Sequence, residues 1–96
     1  MVGVITDPGL VEIGDSTIIG LGSAIASHIL QRGELTLKKV KIGKNCVIGG
    51  RAIIMPGVEI GDNSIVGTAS LVTEGTKIPP NTIWAGVPAK QIRKRK

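Results

Sequence analysis

From Ile13 onward a branched apolar residue returns at every sixth position: Ile13, Ile19 and Ile25, then Ile42, Ile48, Ile54, Ile60, Val66, Val72 and Ile78, with Trp84 in the last slot. A step of six fits neither the 3.6-residue turn of a helix nor the alternation of a long strand. It predicts very short strands separated by turns, the hexapeptide pattern of a parallel β-helix. Glycine follows the slot as Gly14, Gly20, Gly43, Gly49, Gly61 and Gly67, where a missing Cβ permits a sharp corner or close backbone approach. Four positions after the slot the residues are mostly small, among them Thr17, Ser23, Cys46, Ala52, Ser64, Ser70, Thr76 and Thr82.

Three hexads make a coil of 18 residues, because Asn45, Asn63 and Asn81 fall 18 apart, with Gly43 and Gly61 two places before the first two. Asn tolerates the left-handed backbone region, so one Asn per coil at one corner is physically sensible. Residues 11–16 align with 40–45 and then with 58–63; the second and third copies are 18 apart and the first and second 29, leaving about eleven residues over. These are expected to protrude as a loop near 29–39, with Gln31, Arg32, Gly33 and Glu34 at its tip. The pattern predicts one domain over 1–96 of about four coils, a prism roughly 15 to 20 Å tall. The basic segment 90–96 follows as a cap or a free tail.

Composition sharpens this picture. A chain with 42% hydrophobic and only 20% charged residues is not an ordinary disordered segment. The bulk of its apolar content is Ile, Val and Leu, with no Phe or Tyr, so a small core must be completed by regular stacking or by partner subunits. The 14 glycines show no every-third-residue period, which excludes collagen. One Cys excludes an intrachain disulfide framework and suits a reducing compartment. No apolar run reaches membrane-spanning length and no leader pattern opens the chain, so no membrane partner and a cytoplasmic location are expected. The net charge of +5 is concentrated at Lys38, Lys39, Lys41 and Lys44 and at the C-terminal end, favouring anionic partners in general.

The stretch from Ile42 to Ile92, opening IGKNCVIGG and closing WAGVPAKQI, resembles the hexapeptide-repeat acyltransferase superfamily; residues 7–28 resemble it more loosely. The resemblance implies an all-β fold, a left-handed parallel β-helix, with the hand taken from the family because β crossovers are ordinarily right-handed. It further implies a homotrimer with acetyl-CoA or another acyl-CoA lying in a groove between neighbouring prisms. His28, the single His, stands where the repeat register breaks and corresponds to the family's catalytic base. A neutral imidazole there would take a proton from the hydroxyl or amine of a small-molecule acceptor. Gly49 and Gly67 are cofactor-side candidates and possible backbone oxyanion donors, and Thr68, Ala69, Ala85 and Gly86 are pantetheine-side candidates.

Residues 84–90 resemble the family's closing motif, with Val87 replacing a customary Asn and so removing an amide. Trp84 reads as an apolar cap on the last coil. Lys90 and Arg93 are candidates for the phosphates of CoA. The zinc-dependent carbonic anhydrase branch of the same fold needs three His ligands, whereas this chain holds one, so no metal is expected. Nucleic acid is not an expected partner, since aromatic stacking surfaces and a groove-reading helix are both lacking. The alternative reading is a non-catalytic structural or assembly module.

Overall fold

In a strand successive side chains point to opposite faces, so a branched slot and the small residue two places before it face the same way. The computed structural model shows the pairs directed inward: Val40 with Ile42, Cys46 with Ile48, Ala52 with Ile54, Val58 with Ile60, Ser64 with Val66, and Ser70 with Val72 are all buried. The structure describes residues 3–5 and 10–95, apart from the side chains of residues 3–5, 28, 29, 31 and 36.

The strands stack into three parallel sheets. The first sheet contains β1 (Gly3–Ile5), β4 (Ser23–Ile25), β9 (Ile53–Ile54) and β12 (Leu71–Val72). The second runs β2 (Val11–Ile13), β7 (Val40–Ile42), β10 (Glu59–Ile60) and β13 (Lys77–Ile78). The third runs β3 (Ile18–Ile19), β8 (Val47–Ile48), β11 (Ile65–Val66) and β14 (Thr82–Gly86), and is completed by an antiparallel β15 (Ala89–Lys94). Partners lie 18 residues apart in the later coils, as in Lys41↔Glu59↔Lys77, and 29 apart across the first, as in Glu12↔Lys41. The chain is therefore a parallel β-helix with the 18-residue coil that the Asn spacing predicts.

One corner of each coil is turned by a residue with positive φ: Ser16 at 61°, Asn45 at 56°, Asn63 at 62° and Asn81 at 61°. Inside this corner, small polar residues satisfy backbone carbonyls, those of the next coil for Thr17, Cys46 and Ser64 and one in its own coil for Thr82. Thr17 Oγ1 donates to Gly43 O at 2.6 Å, Cys46 Sγ to Gly61 O at 3.2 Å, and Ser64 Oγ and Thr82 Oγ1 to Pro79 O at 2.8 and 2.7 Å. Among the described residues no buried side-chain nitrogen or oxygen is left without a partner.

The extra residues are a β-hairpin rather than an irregular loop. Strands β5 (His28–Gln31) and β6 (Glu34–Leu37) pair antiparallel through His28↔Leu37, Ile29↔Thr36, Leu30↔Leu35 and Gln31↔Glu34. Arg32 and Gly33 turn it with φ of 52° and 78°, the double positive φ of a two-residue hairpin loop whose twist matches its strands. Most of the basic segment is the strand β15 beside β14, and Lys96 lies outside the described residues. Ile13, on β2 at one end of the second sheet, stays 36% exposed although it occupies an apolar slot, whereas Ile78 on β13 at the other end is buried.

Candidate active site

Three edges join the three sheets, and all candidate residues but Arg93 lie at or near two of them. Between the first and second sheets the hairpin leaves the prism. Its neck is closed by the Lys38 N–H, which donates to Ser27 O at 2.9 Å. His28 is the first residue beyond this neck and is register partner to Leu37. Its backbone position is fixed by that pairing, while its imidazole lies outside the described side chains.

The edge between the third and first sheets carries Gly49, Gly67, Thr68, Ala69, Ala85 and Gly86. Gly49 is glycine because coils touch here: a Cβ would stand 2.5 Å from Thr68 N and 2.7 Å from Gly67 C. The N–H groups of Gly49 and Gly67 are committed to stacking bonds, to Val66 O at 2.7 Å and to Trp84 O at 2.8 Å. As the coils stand, these two groups are not available as oxyanion donors. Ala69 N donates to Gly50 O at 2.8 Å and Gly86 N to the Ser70 hydroxyl at 3.2 Å. Thr68 differs: it is exposed, and neither its N–H nor its hydroxyl makes a hydrogen bond among the described residues. The glycines are candidates for their space; the ladder of coil-to-coil bonds engages their N–H groups and leaves that of Thr68 free.

Pairing of β14 with β15 sets Lys90 opposite Ala85 and Arg93 opposite Ile83, both basic residues being exposed. Lys90 thus joins Thr68, Ala69, Ala85 and Gly86 near one edge, while Arg93 lies farther along the third sheet. His28 belongs to a different edge, with the first sheet between them. The hexad step explains the separation, because six residues carry the chain from one edge to the next. Within one prism the two groups do not meet.

The two sheets flanking the Thr68 edge present apolar residues outward, with Ile53 44% and Ile18 62% exposed, and Leu21 on the edge itself 70% exposed. The second sheet is charged instead: Glu12, Lys41, Glu59 and Lys77 form an in-register row of alternating sign. They line a shallow groove of about 550 Å³ that includes none of the candidate site residues. Lys39 holds Glu12, and Lys77 holds Glu59, each at 2.5 Å. These hydrogen bonds, helped by the lysine charges, hold both carboxyls below the usual glutamate range. Arg95, which sequence reasoning passed over, donates to Asn45 O and Asn63 O at 3.3 Å and so clamps two corners. Among the described residues no three His, Cys, Asp or Glu side chains cluster as a metal site, and no helix is long and apolar enough to cross a membrane.

Residues 39–74 match the family described as the hexapeptide repeat of succinyl-transferase. The chain is similar to a galactoside acetyltransferase solved in complex with coenzyme A, at 38% identity and a TM-score of 0.88, over 98% of this chain and 50% of that one. It is similar to a hexapeptide-repeat acetyltransferase from Vibrio cholerae complexed with acetyl-CoA, at 30% identity and a TM-score of 0.89, over 98% and 54%. A maltose O-acetyltransferase from Clostridium difficile matches at 38% identity and a TM-score of 0.82, over 90% and 49%. The chain spans about half the length of these solved relatives. No curated protein matches it by sequence. The β-helix is of the left-handed kind that the resemblance implies.

Proposed function

The chain belongs to the hexapeptide-repeat acyltransferase superfamily, and from that premise we propose that it transfers an acyl group, in the first instance acetyl, from CoA to a hydroxyl or amine of a small acceptor. The observation that carries this reading is the likeness, over 98% of the chain, to an acetyltransferase holding coenzyme A. The protein acts as a homotrimer in the cytoplasm, with its prisms side by side. The arrangement is supported by the separation of the two groups: the hairpin edge of one prism and the Thr68 edge of its neighbour would form one groove. The apolar outer faces that flank the Thr68 edge suit such packing.

In that groove neutral His28 takes the acceptor proton as the oxygen or nitrogen attacks the thioester carbonyl. The Thr68 N–H, free of the stacking ladder, is suited to the developing oxyanion. Collapse forms the ester or amide, breaks the carbon–sulfur bond, and returns the proton from His28 to the CoA thiolate. Lys90 and Arg93 supply positive charge for the phosphates, and Gly49, Gly67, Ala69, Ala85 and Gly86 give a smooth wall along the pantetheine.

Calorimetric titration of the intact protein with acetyl-CoA, against a 3′-dephospho analogue, tests the donor side. Saturable binding that weakens without the phosphate is expected. No binding by the folded oligomer would return the chain to a structural module. On the acceptor side, His28→Ala should lower turnover far more than CoA affinity, and turnover equal to the parent protein's would remove His28 from the mechanism. A solution mass near the 9.9 kDa of one chain would refute the trimer.

A further inference from the structure

Lys38 ties the neck of the hairpin to two further coils. Its N–H closes the neck on Ser27 O at 2.9 Å, and its ammonium reaches the Glu74 carboxylate, also at 2.9 Å. Between these ends the stem crosses Gly57, where a Cβ would stand 3.1 Å from Lys38 Cδ. Ser27, Gly57 and Glu74 occupy the same edge in three successive coils, and Gly75 N donates to Pro56 O at 3.1 Å beside them. One side chain thus spans the edge from which the hairpin departs. Lys39 turns the other way, to Glu12 on the second sheet. Of the hairpin's own charges, Arg32 and Glu34 make no ion pair among the described residues.

Ser27, which accepts the neck bond, immediately precedes His28, whose register partner Leu37 immediately precedes Lys38. Any shift of Lys38 relative to the coils is therefore passed to position 28 through one peptide unit on each strand. We infer that the Lys38–Glu74 pair is a positioning element that holds His28 at the working height of the groove. This rests on the reading of His28 as the base. The two side chains are 52% and 38% exposed, so the effect is that of a screened pair: about a two- to fivefold change in turnover.

The test compares Lys38→Met, Glu74→Gln and the reversed pair Lys38→Glu with Glu74→Lys in the intact protein. Each single variant should lower kcat about two- to fivefold with KM for acetyl-CoA unchanged, and speed hydrogen exchange at the residue 38 amide. The reversed pair should restore both, and high salt should bring the parent protein to the level of the single variants. Unchanged kcat in the single variants beside an inactive His28→Ala protein would overturn the inference alone, as would failure of the reversed pair to restore kcat. Parent-like turnover in His28→Ala would overturn the base assignment, and the positioning role with it.

Discussion

Val66 and Trp84 are register partners on adjacent parallel strands, so the indole stands in the slot that Ile48 and Val66 fill with branched side chains in the coils before it. It packs against the core while its Nε1 donates to Thr82 Oγ1 at 3.1 Å. A large ring suits this slot because no further parallel coil follows on the third sheet, only the antiparallel β15. Trp84→Ala should destabilise the protein by about 2 kcal/mol, less than for a fully buried ring because Trp84 is only half-buried. Trp84→Ile should recover most of that loss. Since Trp84 is the sole aromatic residue, urea unfolding of these variants is followed by circular dichroism, with parent Trp fluorescence as a check on the last coil. Equal stability of the Ala variant would mean that Ala89 and β15 close the core without the ring.

The repeat was legible because the fold is written in local terms. Slots, glycine corners and the 18-residue Asn spacing each name a position within a coil, and a parallel stack converts that directly into register. Even the insertion was legible in length, since 29 less 18 leaves eleven residues and the structure closes its neck between Ser27 and Lys38. Its form was not, because polar residues and Gly33 drew attention to the turn and away from the strand-forming Ile29, Leu30, Leu35, Thr36 and Leu37. The site was less legible for a different reason. Whether a backbone N–H is free depends on what the neighbouring coil accepts, and only the bond ladder reveals that Gly49 and Gly67 are engaged and Thr68 is not.

Gly49 separates two kinds of glycine requirement. Its φ lies outside the left-handed region, so its own backbone would accept Ala; the obstacle is the next coil, 2.5 Å from the added Cβ. Gly75 is the reverse, with φ of +75° and open space around it. Gly49→Ala should cost about 1–3 kcal/mol through forced separation of coils, whereas Gly75→Ala should cost about 1–2 kcal/mol through local strain alone. Hydrogen exchange distinguishes them even if the totals agree. Gly49→Ala should loosen the amides of Gly49 and Ala69 at the stacked edge, and Gly75→Ala should leave those amides as protected as before.

Cys46 replaces a hydroxyl in the inward column of Thr17, Ser64 and Thr82, and its thiol donates to Gly61 O as they do to their corners. Cys46→Ser should therefore change stability by about 1 kcal/mol or less, while Cys46→Val, which removes the donor, should cost about 1–3 kcal/mol. The thiol is fully buried, so a thiol reagent should modify it only as fast as the coils open. Rapid labelling of the native protein would show that the second coil opens far more readily than its packing implies.

The charged row on the second sheet sets a pH dependence whose direction follows from its hydrogen bonds. Lys39 and Lys77 hold Glu12 and Glu59 below the usual glutamate range in the folded protein, first by hydrogen bonding and then by charge. In the unfolded chain both carboxyls titrate near the ordinary value of about 4.3. Above that pH they are ionised in both states and the paired arrangement contributes fully; as pH falls through the lower folded-state values, the unfolded chain has already gained its protons and the contribution is lost. A Glu12→Gln, Glu59→Gln double variant should melt below the parent protein at neutral pH, and the gap should close as the solution is acidified past the glutamate range. Both partners are solvent-exposed, so about 1 M salt should narrow the same gap at neutral pH. A gap that stays constant from neutral to acid pH would mean that the two glutamates act by packing their stems along the groove and not through their charge.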